Sequence, residues 1–485
     1  MTAQMLVFCF LIYFALLYSI SYIVGNSDSN ASFFAADKKA PWYLVAFGMI
    51  GATLSGVTFI SVPGWVTTTQ LGYVQMVLGY ALGYLCIGTL LLPLYYKWNV
   101  VSIYTYLQHR FGEKSYKTGA AFFILSRITG TSFRLFLLLK VLHWLVLDEH
   151  NIPFWLSAAV ALLGIWLYTK KSGIKTIIYT DTAQTLCMLI ALSITIYALF
   201  FELQLDTQSL WVWWQSQPNT QLFFWEDWSS GQHFIKQFFA GALIAFAMTG
   251  LDQDMMQKNL TCKSLKDAQK NMIYFSIVLV FVTFLFMLLG ALLYIYSGHY
   301  NIEIPLMDGQ PRTDLLFPEI ALNGGLGLTL AIIFMLGLIA AAYSSADSAL
   351  TSLTTSFCID FLNIERKNKK VQKRLRKKVH IGMSILLVIV IIIFKHVLTT
   401  NVIDSLLTVA GYTYGPLLGL FAFGIFTKFK IKDNYVWIVG IIAVIITAII
   451  GNIPSESIGG YVVGYELLPI NGLLTFFGLI LIRRK

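Results

Sequence analysis

The chain has 485 residues, of which 57% are hydrophobic and only 12% charged, and its mean hydropathy is +0.71. That balance leaves too little polar surface for a water-soluble domain and excludes one. The formal charge of +10 is then a question of which side of a bilayer the basic residues occupy, not a sign of nucleic-acid binding.

Long apolar stretches recur and read as thirteen transmembrane helices, at 3–24, 42–68, 72–96, 117–147, 152–169, 176–203, 233–257, 271–298, 319–362, 380–397, 403–427, 434–452 and 462–482. The first begins Met-Thr-Ala-Gln with no basic residue, so it is expected to be a retained helix, not a signal peptide. The second holds Gly48, Gly51, Gly56, Pro63 and Gly64 around Thr53, Ser55, Thr58 and Ser61. In lipid each carbonyl freed by a breaker needs a partner, and a discontinuous helix whose loose carbonyls hold a cation or solute supplies one. Close packing accounts for some of the glycines but not for the four hydroxyls.

Arg127 and Arg134 are seven residues apart near mid-depth of the 117–147 span, so they share a helix face. Each costs about 2.5–3.5 kcal/mol at the bilayer centre and needs an anion, a carbonyl or water. Structural and solute-binding roles are open for both, with Arg134 the nearer to the outer vestibule; a guanidinium facing a cavity suits a carboxylate. Lys140 is expected to snorkel. Asp181, early in its span, has three readings: balancing Lys175, ligating a cation, or carrying a proton. The 204–232 loop is rich in tryptophan (Trp211, Trp213, Trp214, Trp225, Trp228), which favours interface anchoring over a lid. The 233–257 span carries Gly241 and Gly250, and Asp252 and Asp254 at its inner end are expected to cap or to pair with Lys258.

In the 319–362 span, Ala341–Leu350 reads Ala-Ala-Tyr-Ser-Ser-Ala-Asp-Ser-Ala-Leu. Ser344, Ser345, Ser348 and Asp347 offer only hard oxygen ligands, which suit a small bare cation such as Na⁺. Serines alone would be read as helix packing; the added acid reverses that. His143, His380 and His396 stand singly near helix ends and are expected to be interfacial. The five cysteines (Cys9, Cys86, Cys187, Cys262, Cys358) show no metal spacing and read as free thiols.

With the N-terminus outside, every Lys and Arg falls on the inner side except Arg127, Arg134, Lys140, Lys236, Arg312 and Lys395. This obeys the positive-inside rule at each loop and puts the C-terminus in the cytoplasm. The nine basic residues of Arg366–Lys378 are expected to touch anionic lipid. Two interrupted spans separated by four others suggest an inverted repeat, 42–203 and 233–428, with the solute held between the breaks. Residues 1–41 and 429–485 are the additions at either end, and 204–232 is the outer connection.

Four stretches resemble the sodium:solute symporter family, which includes sodium/glucose, iodide, proline, pantothenate and sialic acid cotransporters. They are Ala52–Gly64, Leu92–Lys97 followed by Ser102–Gly112, Asp254–Lys270, and Ala341–Ser348. The resemblance implies an all-α, leucine-transporter-like fold with a five-plus-five inverted repeat. It implies a Na⁺ site made of the carbonyls of Gly51, Leu54 and Ala341 with the hydroxyls of Ser344 and Ser345. Sialic-acid-type members imply a second Na⁺ at Asp181, Asp347 and Ser348, although they have serine where this chain has Asp347; proline-type members share the Ala-Asp-Ser order. The arginine that meets the sialic acid carboxylate in such members aligns near Gly130, between Arg127 and Arg134.

The expected function is Na⁺-coupled symport of a small organic anion, such as sialic acid or a monocarboxylate, across the plasma membrane. Thr53, Ser55, Thr58, Tyr80, Arg127 and Arg134 are the expected solute contacts. A neutral sugar is the alternative, with Trp65, Gln70 and Tyr80 as lining. A sensor would add a soluble domain and none follows Lys485; a channel would show pore rings. No nucleophile–base pair or metal motif points to an enzyme, and neither nucleic acid nor an obligate protein partner is implied.

Overall fold

The computed structural model describes residues 3–25, 27–205, 208, 212, 220–307, 310–397, 402–459, 461 and 463–484. A backbone in hydrocarbon must satisfy its own hydrogen bonds, which is why nearly everything described is helix. The apolar helices are α1 (Ala3–Val24), α2 (Trp42–Thr53), α3 (Gly56–Gly64), α4 (Tyr73–Lys97), α5 (Glu113–Leu142), α6 (Phe154–Thr169), α7 (Ile174–Glu202), α8 (Phe234–Gly250), α9 (Gln253–Asn259), α10 (Leu265–Tyr300), α11 (Leu328–Phe361), α12 (Lys369–Val397), α13 (Val402–Phe426), α14 (Val436–Gly451) and α15 (Leu467–Leu481). Among the described residues nine are long and apolar enough to cross a bilayer. The pairs α2/α3 and α8/α9 are spans bent by 57° and 72°, and α6 and α15 are shorter apolar helices. They fall in the order of the thirteen expected spans.

Two boundaries differ from expectation. The 319–362 span is a short helix, Leu316–Asn323, followed by α11, because Gly325 and Gly327 take positive φ (86° and 89°) that side chains disfavour. The basic run 366–378 is not all loop: α12 starts at Lys369. Outside the helices, Leu306–Met307 pairs antiparallel with Gln310–Pro311. Of the loop tryptophans, Trp225 and Trp228 are exposed; Trp211, Trp213 and Trp214 lie outside the described residues.

Helices α2/α3, α4, α8 and α10 pack as one group, and α5, α6, α11 and α12 as another, with α7 bridging α2 and α11. The α4–α8 seam is the tightest contact in the first group. Gly79-Tyr-Ala-Leu-Gly83 is a small-xxx-small face: a Cβ at Gly79 would stand 2.0 Å from the Phe238 carbonyl, and one at Gly83 would stand 2.4 Å from that of Ala242. Without a hydrophobic drive between helices in lipid, such backbone approach is what holds them together.

Asp28, after α1, receives Lys373 (2.7 Å), Lys377 (3.0 Å) and the buried Arg376. Arg376 also covers the Phe33 ring at 4.6 Å, so part of the run expected on lipid is spent on the protein. Burial alone would raise the Asp28 carboxyl, but the two lysines and Arg376 outweigh it and hold it below its usual value. A depressed carboxylate adds stability above its unfolded pKa of ~3.9 and loses it as pH falls through the folded value. Asp28→Asn is therefore expected to lower the melting temperature by roughly 1–3 °C at pH 7. The gap should hold down to about pH 5 and shrink below about pH 4, as read by thermal melts across pH; a constant gap at all pH would refute the charge account.

Candidate sodium site and central cavity

The first break falls at Leu54 and Ser55, whose ψ values of 70° and 172° leave the helical region between α2 and α3. Leu54 N–H still reaches the Ile50 carbonyl (2.8 Å), but among the described residues no hydrogen bond is accepted by the carbonyls of Gly51 or Leu54. These are the oxygens a helix interruption frees. The break packs against α11: a Cβ at Gly51 would lie 3.4 Å from Ser344 Oγ, and one at Gly56 would lie 3.0 Å from the Ala342 Cβ. Ser344 donates to Asp181 Oδ1 (3.0 Å) and Ser345 to the Ala342 carbonyl (3.0 Å). Each hydroxyl thus spends its proton on an acceptor and keeps lone pairs for a cation. Gly51, Leu54, Ala341, Ser344 and Ser345 are all buried on the two packed helices α2 and α11 or at their junction. An all-oxygen set of carbonyls and hydroxyls fits Na⁺, and among the described residues no cluster of His, Cys, Asp or Glu offers a transition-metal site.

Above that break lies a cavity of about 150 Å³. Thr53, Ser55, Thr58, Tyr80, Arg127 and Arg134 all line it, with Trp65 and the unforeseen Tyr84, Met248, Thr249 and Tyr465. Gln70 does not; its side chain accepts from Gln221 N–H (3.0 Å) instead. The hydroxyls of Thr53 and Ser61 are buried in the wall without a hydrogen-bond partner among the described residues, and buried hydroxyls of that kind await one. Among the described residues no Asp or Glu is in the lining.

The second break, at Leu251–Asp252, is inside the bent pair and not at its inner end. Asp252 caps α9, accepting from Asp254 N–H (2.8 Å) and Met255 N–H (3.2 Å). It also receives Tyr414 OH and lies 3.6 Å from Arg127, which pairs with Asp254 as well. Neither acid pairs with Lys258. Arg127 therefore lines the cavity with its charge already balanced, whereas Arg134 has no hydrogen bond or ion pair among the described residues.

Lys258 goes elsewhere, to Asp181 Oδ2 at 2.7 Å. Lys175, the partner in one of the three readings of Asp181, meets Asp37 at 3.3 Å. Asp347 accepts from Tyr168 OH (2.6 Å) and from Ser348 N–H (2.6 Å). His380 is not interfacial but buried, between the hydroxyls of Thr169 and Thr354. His143 is also buried, paired with Asp148 at 2.7 Å. Spacing alone did hint at one missed neighbour: Thr185 is four residues after Asp181 and on its face, and it packs against Gly51.

A family model described as the sodium:solute symporter family matches residues 33–432. The chain belongs to that family. It is 24% identical over 433 residues to the sodium/sialic acid symporter NanT of Aliivibrio fischeri, covering 84% of this chain and 80% of that one. It is likewise 24% identical over 460 residues to the sodium/sialic acid symporter SiaT of Proteus mirabilis, covering 90% and 86%. To the human sodium/iodide cotransporter it is 22% identical over 412 residues, covering 83% and 62%. A solved Na⁺-coupled sialic acid symporter, in a substrate-bound outward-open state, superposes with a TM-score of 0.81 at 19% identity, over 98% of this chain and 97% of that one. The nucleobase-cation-symport-1 transporter Mhp1, in a closed conformation, gives 0.56 at 12% identity and 94% of both chains. The fold is leucine-transporter-like, and this chain is a Na⁺-coupled symporter: a multi-pass membrane transporter that moves a small solute with sodium.

At saturating sodium, a hundredfold above Kd, ligand binding stabilises the native state by about 2.7 kcal/mol, a melting shift of several degrees on replacing KCl with NaCl. Ser344→Ala with Ser345→Ala should abolish that shift. Gly51→Ala should do so too, because its Cβ would stand 2.2 Å from Thr185 Oγ1 and force α2 off α7. Gly382→Ala, which meets nothing within 4 Å, should keep it; a full shift in the serine double variant would exclude these hydroxyls as ligands.

Proposed function

We propose that the symporter imports a small organic anion, a sialic acid or a monocarboxylate, and that Arg134 holds its carboxylate. The observation that carries this reading is a guanidinium without an ion-pair partner on the wall of a cavity that has no acid in its lining. An uncompensated cation at that depth is costly, and a carboxylate returns the cost through two parallel hydrogen bonds. Thr53, Ser55, Thr58 and Ser61 supply hydroxyls to the solute, and Trp65, Tyr80 and Tyr84 supply ring faces. A space of about 150 Å³ suits a compact acid, and a sugar acid needs the walls to part. A neutral sugar is disfavoured, because it leaves Arg134 unanswered and Gln70 is engaged outside the cavity.

In this reading Na⁺ binds first and ties α2 to α11, holding the cavity open outward. Loss of either contact releases ion and solute inward as the first helix group rocks against the second. The repeats are 42–203 and 233–428, the breaks lie at matching places in each, and the site sits between them. The N-terminus lies outside, the C-terminus is cytoplasmic, the membrane is the plasma membrane, and no further protein subunit takes part.

Arg134→Ala is expected to weaken solute binding more than tenfold while sodium affinity changes less than twofold, with Arg134→Lys in between. Uptake into proteoliposomes under a Na⁺ gradient, together with a thermal-shift screen of sugars, sialic acids, amino acids and monocarboxylates, measures both. Equal loss of the two affinities would make Arg134 structural, and uptake that persists when K⁺ replaces Na⁺ would end the coupling scheme.

A further inference from the structure

The sodium-coupled reading above is the basis for an inference about how many ions the chain carries. The resemblance puts a second sodium at Asp181, Asp347 and Ser348, and the side chains there do not fit one. Asp181 is fully buried with both oxygens engaged. Its Oδ1 accepts from Ser344 Oγ (3.0 Å) and from Gln184, whose amide nitrogen turned toward it lies at 3.2 Å. Its Oδ2 accepts from Ser348 Oγ (3.2 Å) and faces Lys258 Nζ at 2.7 Å. A carboxylate has about four lone-pair directions, and four partners occupy them. The oxygens of Asp347 are likewise turned to Tyr168 and to the Ser348 N–H.

Lys258 is as buried as its partner, with 2% of its side chain exposed, and Asp181 is the one acid within ion-pair distance of it among the described residues. It arrives from α9, the inner half of the second broken helix, while Asp181 stands on α7 and the serines on α11. One positive charge therefore joins three helices at a carboxylate ringed by hydroxyls. That is the position and the charge of a bound monovalent cation, tethered to the chain by a side chain.

We propose that the Lys258 ammonium replaces the second sodium ion, so that the symporter binds and moves one Na⁺ per cycle, at the site of Gly51, Leu54, Ala341, Ser344 and Ser345. A buried carboxylate must have a cation. A tethered one supplies cohesion but cannot leave with the solute, so it contributes no driving force from the sodium gradient.

Equilibrium binding of radioactive sodium to the purified full-length protein counts the sites. One ion per chain is expected for the native protein and for Lys258→Arg, and two for Lys258→Ala. The Lys258→Ala protein should also melt lower in KCl and regain more on NaCl addition than the native protein does. Adding Asp181→Asn to Lys258→Ala should return the count to one. Two ions on the native protein overturn the proposal whatever the variants do, and so does a folded Lys258→Ala protein that still binds one. A native count of zero overturns the sodium reading itself, which separates the two failures. Should Lys258→Ala not fold, the native count decides alone.

Discussion

Hydrocarbon offers a backbone no water, so a transmembrane helix interrupts itself only where something else takes its hydrogen bonds. The two breaks in this chain, at Leu54–Ser55 and Leu251–Asp252, obey that constraint in different ways. At the second, the protein answers itself: the Asp252 carboxylate caps the new helix start and is held in turn by Tyr414 and Arg127. At the first, among the described residues no backbone hydrogen bond is accepted by the carbonyls of Gly51 and Leu54, and α11, with Ser344, packs against the break. One break is a structural joint, and the other is left for a ligand. In the proposed reading a sodium ion there would complete the backbone accounting that the helix leaves open, so that ion binding and the shape of the helix would be a single event.

Tight packing makes the joint matter. Gly51 is pressed against Thr185 and Ser344, and Gly48 against Asp181, so α2 lies on α7 and α11 with room for no side chain at all. Across the first group, the glycines of α4 and α8 bring backbones together in the same way. Helices in lipid gain nothing from burying apolar surface against one another beyond what lipid already gives. The polar contacts around the breaks are few in kind: close backbones and the buried charge pairs Arg127–Asp254, between α5 and α9, and Lys258–Asp181, between α9 and α7. A contact made of a few such pairs can exchange between two arrangements in a way that an interlocked apolar core cannot.

Spans were legible because 18 or so apolar residues in a row admit few other readings, and the first break was legible because Gly51, Gly56 and Pro63 crowd a stretch of hydroxyls. The lining of the cavity followed from the same stretch, since Thr53, Ser55 and Thr58 flank the break. Partnerships were not legible. Lys258 lies four residues from Asp254 and six from Asp252, which made a local pair reasonable, yet α9 turns by 72° from α8 and carries Lys258 to Asp181 on another helix. Arg127 and Arg134 look alike on one helix face. Only the position of the second break decides that Arg127 meets two acids and Arg134 meets none. His380 reads as interfacial from its place before an apolar span, but the basic turn beneath it folds against Asp28 and Phe33 and draws it inward. In each case the residue type was visible and the partner was set by tertiary structure, by an element distant in the chain: 77 residues separate Lys258 from Asp181 and 127 separate Arg127 from Asp254.

The formal charges around the two breaks carry the argument one step further. Asp181, Asp347, Asp252 and Asp254 are four buried carboxylates; among the described residues Arg127 and Lys258 pair with three of them, while Arg134 stands unpaired on the cavity wall, so the seven formal charges sum to minus one. An anion entering without sodium meets that net negative charge; a sodium ion bound beside Ser344 would cancel it. For unit charges ~10 Å apart at an effective dielectric of ~20, the difference is roughly 1.5 kcal/mol, a tenfold or greater gain in affinity. By linkage the solute returns the same factor to sodium. Coupling of that size needs no contact between ion and solute, only that both sit in one poorly screened region whose charge is incomplete without the ion.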